Sequence, residues 1–246
     1  MDPTTIAAIA VLMMLGAALY TSVGHAGASA YLAIMALFSV APTTMKPTDL
    51  VLNILVASFA TFRFVRAGQF NGKLLIPFVV GAVPAAFLAG RAHLPGEFYK
   101  PIVAVVLLAA AIRMLWPRPV KALVETKPPN TAVAVVSGAG IGVLSGLTGT
   151  GGGIFLSPLI LLNGWEGARK TSGTAAAFIL CVSISGLLGS LSSVGHLPPE
   201  LPYFVVAVAI GAVIGTQLGV ARLAPGRLIQ ALGVVLLIAS AKLAFT

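Results

Sequence analysis

Residues 131–163 read TAVAVVSGAGIGVLSGLTGTGGGIFLSPLILLN, without one charged side chain. A helix rises 1.5 Å per residue, so about 20 such residues cross the hydrocarbon core of a bilayer. Several comparable stretches occur, and the chain is 58% hydrophobic with only 9% charged residues. No water-soluble core hides that many long apolar segments, whereas a bilayer does. A membrane β-barrel would need short alternating strands instead, and the sequence lacks that pattern. The expected fold class is therefore an all-α polytopic membrane protein.

The formal charge is +9. Basic residues confined to short loops act as orientation signals, so the charge does not argue for a nucleic-acid partner. Cys181 is the single cysteine, which forbids an internal disulfide. Residues 1–23 begin MDPTT, with Asp2 and no Lys or Arg before the apolar run. They read as a first membrane helix rather than a cleaved signal.

Apolar segments fall at 4–23, 28–40, 48–66, 74–91, 98–116, 131–148, 152–164, 172–194, 201–221 and 227–245. Two of them, 28–40 and 152–164, reach only about 20 Å of a ~30 Å core. Each follows a break rich in small residues, GHAGASA at 24–30 and GTGGGIF at 149–155. The chain is expected to enter the membrane, break, and return as a partial helix. Gly138, Gly142 and Gly146 are spaced for close helix contact and read as packing.

The first and second halves correspond. GAVPAAFLAGRAHLPGEFYKPIVAVVLLAAA from Gly81 aligns without a gap to GAVIGTQLGVARLAPGRLIQALGVVLLIASA from Gly211. Gly24 matches Gly149 and Gly27 matches Gly152. The expected organisation is a first transmembrane repeat at 1–116, a polar linker at 117–130 and a second repeat at 131–246. If each broken segment enters and returns, each repeat has five elements and the two insert with opposite orientation. One face then holds Arg63, Arg66, Lys73, Arg113, Arg118, Lys121, Lys127, Arg169, Lys170, Arg222 and Arg227, and the other Lys46, Arg91, Lys100 and Lys242. A parallel arrangement would divide the cations almost evenly. The positive-inside rule selects the inverted repeat, with both termini on the non-cytoplasmic side of the plasma membrane.

Irregular backbone survives inside a bilayer only where protein or a polar cavity covers it. A helix that starts at mid-membrane aims free N–H groups and its positive dipole end into that cavity, which suits an anion. Two such starts, at Ala28–Ser29 and Gly151–Gly153, would make one central pocket. Its candidate substrate-binding residues are Gly24, His25, Gly27, Ala28, Ser29, Asn53, Gly149, Thr150, Gly151, Gly152, Gly153 and Thr174. Asn53 and Thr174 are expected as side-chain donors, or as bonds to a neighbouring helix. His25 is either a bonded core histidine or, with Asp49, a group that titrates to couple transport; Asp49 reads otherwise as a helix-start charge. Gln217 reads as an interhelical bond, Cys181 as a small core residue, and His93 and His196 as loop-end residues.

GTGGGIFLSP at 149–158 followed by RKTSGT at 169–174 resembles the second-half signature of the TauE/SafE sulfite exporter family, and the resemblance extends over essentially the whole chain. The first half departs from the pattern: GHAGA at 24–28 replaces the usual glycine-rich string, and Ala33 stands at a proline position. Asn53 in LVLNILVAS fits a variant of the family. The resemblance implies transport of sulfite, organosulfonates or related sulfur oxyanions across the bacterial inner membrane.

The expected function is thus a secondary carrier, an exporter of a small anion that works by alternating access, with the lipid bilayer and the anion as its partners. An anion channel stays open as an alternative. So does an intramembrane enzyme, for which Cys181 with His25 is the only conceivable pair. No G-x-x-x-x-G-K-[ST] pattern occurs, and the spans hold too few His, Cys and acidic residues for a metal site, so neither cofactor nor metal is expected. Oligomeric state is not legible.

Overall fold

A computed structural model describes residues 2–92, 94–115, 126–191, 197–221 and 226–245; the side chains of 113–114, 221, 226–233 and 235 are not described. Among these residues the chain forms ten helices: α1 Pro3–Thr21, α2 Ala28–Leu37, α3 Pro42–Arg66, α4 Gly72–Gly90, α5 Gly96–Leu115, α6 Thr131–Thr148, α7 Gly153–Leu162, α8 Ala168–Gly189, α9 Leu201–Ala221 and α10 Gly226–Phe245. Six of them (α1, α3, α4, α6, α8 and α9) are long and apolar enough to cross a membrane. Large apolar side chains such as Val136, Val105, Leu88 and Ile76 stand exposed on the outside, as lipid-facing residues must. The protein is a polytopic helical membrane protein.

Asp2, Asn71 and Asn130 cap the starts of α1, α4 and α6 by accepting from Thr5 N, Leu74 N and Ala132 N. These short polar side chains satisfy first-turn donors where the chain enters a helix. Pro42 opens α3 at its first position, where a missing N–H costs nothing. Two helix starts fall four or more residues outside the apolar segments. α3 begins at 42 rather than 48, and α8 at 168 rather than 172. For α3 the reason is burial: Met45, Lys46, Thr48 and Asp49 are all enclosed by protein, so this polar turn needs no water and continues the helix, whereas the first residues of α8, Ala168 to Lys170, are exposed.

Glycine seams set the helix pairs. A Cβ on Gly138, Gly142 or Gly146 of α6 would fall 2.2, 2.3 and 2.4 Å from the carbonyl oxygens of Phe78, Ala82 and Ala86 of α4. Both series ascend together, so α4 and α6 run in the same direction, and these glycines do serve packing. α9 and α1 repeat the arrangement, with Gly211, Gly215 and Gly219 2.2, 2.1 and 2.4 Å from the oxygens of Met14, Ala18 and Ser22. α3 and α8 run the opposite way to each other. Gly173 meets Phe64, Asn53 meets Ser183, and Gly186 meets Leu50. α5 lies on α10, where Ser240 donates to the Ala104 carbonyl at 2.7 Å.

The described cations gather at two ends. Asn71 donates to Glu166 at 2.6 Å and Lys127 N to Gly164 O at 3.3 Å, which joins the α3–α4 turn, the α7–α8 turn and the start of α6. That end holds Arg63, Arg66, Lys73, Lys127, Arg169 and Lys170. At the opposite end Lys46 donates to Gly90 O at 3.2 Å and Lys242 to Leu37 O at 2.7 Å, near Arg91 and Lys100. The side chains of Arg113, Arg118, Lys121, Arg222 and Arg227, His93, His196, and the linker as far as residue 125 lie outside the described residues.

Candidate functional site

Both breaks are real interruptions. Gly24 and Gly27 have φ of 80° and 104°, and Gly149, Gly151 and Gly152 have φ of 94°, 68° and 75°. This left-handed region is open to glycine and costly for other residues, which explains the composition of both stretches. α2 and α7 then restart as ten-residue helices whose N-caps, Gly27 and Gly152, offer no side-chain acceptor. Ala30 N and Phe155 N are the first donors satisfied, each by its N-cap carbonyl. Among the described residues no acceptor meets the N–H groups of Ala28, Ser29, Gly153 and Ile154.

The two starts share one cavity of about 10 Å³ lined by Tyr20, His25, Ala26, Gly27, Ala28, Ser29, Asn53, Thr150, Gly153, Ile154 and Ile179. That volume is about one water's worth. Seven of the expected site residues therefore meet: His25, Gly27, Ala28, Ser29, Asn53, Thr150 and Gly153. The cavity wall is tied across the two halves. His25 Nε2 lies 2.8 Å from Ser157 Oγ of α7, and Asn53 Nδ2 donates to Ser183 Oγ of α8 at 3.0 Å. Within the first half, the Tyr20 hydroxyl lies 2.9 Å from Ser29 Oγ.

The other expected residues serve the frame. Gly24 presses on the backbone of Ser172, where a Cβ would fall 2.3 Å from the carbonyl oxygen. Gly151 leaves room for Asn53 Nδ2, and Gly152 for Ile141 and Phe178. Gly149 sits against Lys46 and Asp49. Thr174 is not at the cavity: its hydroxyl accepts from Asn71 N at 3.2 Å and fastens α8 to the α3–α4 turn. Gln217 is exposed on α9 with no hydrogen bond among the described residues, which corrects the expectation of an interhelical one, because its side of α9 faces away from α1. Cys181 is half-buried on α8 and does not reach the cavity or His25.

Tyr20, Ser157 and Ser183 were not identified from sequence. Ser157 follows Gly153 by one helical turn and so shares its face, a spacing that carries this signal. Tyr20 and Ser183 lie on ordinary apolar stretches and gave none.

Residues 8–243 match the family described as Sulfite exporter TauE/SafE. The chain is also 39% identical over 238 residues to the probable membrane transporter protein y4hK of Sinorhizobium fredii (strain NBRC 101917 / NGR234), covering 96% of each chain. No solved structure matches it. With a match that spans all ten helices and both glycine breaks, this chain belongs to the sulfite exporter TauE/SafE family of membrane transporters.

Proposed function

We propose that the protein is a secondary carrier of a small anion, a sulfite, organosulfonate or related sulfur oxyanion, across the bacterial inner membrane by alternating access. One observation carries the reading: two uncapped helix starts, from the two halves of the chain, open onto the same small cavity. Four N–H groups without acceptors and two positive dipole ends favour an anion without a buried guanidinium. The anion would take Ala28, Ser29, Gly153 and Ile154 as backbone donors, with Ser29, Thr150 and His25 as side-chain contacts. Asn53 would add its amide. Family membership supports a sulfur oxyanion over other anions.

Repeats at 1–116 and 131–246, joined by the linker at 117–130, would rock against each other. Their inversion is supported by the opposed directions of α3 and α8, which hold the same place in each half. The paired seams α4–α6 and α9–α1 exchange under the same correspondence. Six described cations at one end against four at the other favour placing the richer end in the cytoplasm, with both termini opposite. The space at the breaks, about 10 Å³, is smaller than any of these anions, so binding requires the two helix starts to move apart, as alternating access has them do.

The test is a thermal-shift screen of purified protein against sulfite, sulfate, thiosulfate, sulfoacetate, taurine and chloride. A ligand at a hundred times its Kd stabilises the native state by about 2.7 kcal/mol. Stabilisation by a sulfur oxyanion, lost when Thr150→Val and Ser29→Ala are combined, is expected. A protein that no anion stabilises does not have this site.

A further inference from the structure

Asp49 is fully buried in α3, and neither of its carboxylate oxygens has a hydrogen-bond partner. A buried carboxyl to which no described donor turns is an unexplained ionisable group within a membrane-spanning helix, where such groups mark ion and substrate pathways. The nearest cation does not relieve it: Lys46, one turn earlier, directs its amine to the Gly90 carbonyl. The other ionisable groups close enough to sense its charge are the phenols Tyr20 of α1, Tyr31 of α2 and Tyr99 of α5. α6, α7 and α9 contribute no charged residue, Arg169 and Lys170 of α8 are exposed at the far end, and Lys73 of α4 lies there too.

The position matters as much as the burial. Asp49 precedes Asn53 by four residues and so stands one turn away on the same face of α3, and Asn53 lines the cavity. Its Oδ2 lies 3.6 Å from where a Cβ on Gly149 would be, at the first residue of the second break. Thr48, beside it, and Ser145, one turn before Gly149, also keep buried hydroxyls without partners. The carboxyl therefore abuts both the helix and the break that build the anion pocket, amid unused hydrogen-bonding capacity.

We propose that Asp49 is a proton-binding site coupled to the anion site, so that a proton and the anion cross together. This rests on the carrier reading above. The step makes and breaks one O–H bond: a carboxylate oxygen takes a proton from water on one side and returns it to water on the other. Its sign follows from charge. An ionised Asp49 repels an anion in the adjoining pocket, and protonation removes the repulsion. By linkage the anion strengthens proton binding by the same factor, roughly tenfold.

Infrared difference spectroscopy on reconstituted protein tests the site without a substrate. A protonated-carboxyl C=O band at neutral pH is expected in the wild type, shifted in Asp49→Glu and absent in Asp49→Asn; a wild type without an Asp49-dependent band overturns the proposal. Proteoliposomes with radiolabelled sulfoacetate, whose charge is fixed across neutral pH, test the coupling. Asp49→Asn mimics the neutral acid, so exchange should persist while accumulation driven by a pH gradient falls roughly tenfold or more. Undiminished accumulation in that variant, or wild-type accumulation driven by sodium and not by pH, overturns the coupling. Wild type that neither binds nor moves any anion of the screen refutes the carrier reading instead, and the infrared band still decides Asp49.

Discussion

At the first break Gly24 is wedged against the backbone of Ser172, and the imidazole of the next residue, His25, crosses to Ser157 in the other half. At the second break the matching Gly149 meets nothing closer than 3.4 Å, from Lys46 and Asp49, and the next residue, Thr150, turns to Thr148 at 3.0 Å in its own half. The backbone course is shared: positive φ at both ends of each break, an uncapped glycine, and a ten-residue helix. The side chains are not shared. A pocket of main-chain donors, as proposed, would depend only on the common course, which leaves the side chains around the two breaks free to differ. The first break is braced against α8 and α7, and the second lies against an ionisable group.

The largest effect should separate the matched glycines. Gly24→Ala combines left-handed strain with a Cβ 2.3 Å from a carbonyl oxygen that belongs to a helix and cannot yield. A loss of about 3–5 kcal/mol, or failure to assemble, is expected. Gly149→Ala meets strain alone, at about 1–2 kcal/mol. Thermal unfolding of both variants in detergent measures the gap. Equal losses would mean that the two breaks are packed alike and that the comparison fails.

Next comes the bridge from His25. Ser157→Ala removes the partner of Nε2 and lets the imidazole leave the cavity wall. Affinity for the stabilising anion should fall roughly tenfold, equivalent to about 1.4 kcal/mol. If the bond merely braces the fold, unfolding temperature drops while affinity stays. Titrating the thermal shift at increasing anion distinguishes these, and Ser157→Thr, which keeps the hydroxyl, should restore most of the affinity.

How far the sequence reached follows from what each residue type reports. Apolar length marked the helices, and clustered glycines marked where they break, because both are local properties of a few adjacent residues. Convergence is different. Ser183 meets Asn53 across 130 residues of sequence through the packing of α8 on α3, and no local pattern encodes it, whereas Ser157 stands one helical turn after Gly153 and was legible from that spacing. Thr174 stands at a plausible depth after its break, yet α8 turns it towards Asn71. The start of α3 shows the converse limit: a polar turn looks like a loop until protein is seen to cover it.

That difference sets a smaller prediction. Thr174→Val deletes the acceptor for Asn71 N and should cost about 1 kcal/mol of stability, with anion affinity unchanged. A fall in affinity without a fall in stability would return Thr174 to the pocket in another conformation of the carrier.

The smallest effect belongs to Gln217, where the halves differ most plainly, since Phe87 stands at the matching place. On α9 the amide is flanked by exposed Val213, Ile214 and Leu218, on the side away from the glycine seam with α1. It lies within four residues of the helix end. Gln217→Leu therefore removes no bond inside the protein and should change the unfolding free energy by no more than about 0.5 kcal/mol, with anion affinity and exchange untouched. A loss above about 1 kcal/mol would show that the amide is bonded after all, to a group outside this chain. Crosslinking through a cysteine placed at 217, in a Cys181→Ala background, would then tell whether that group belongs to a second copy.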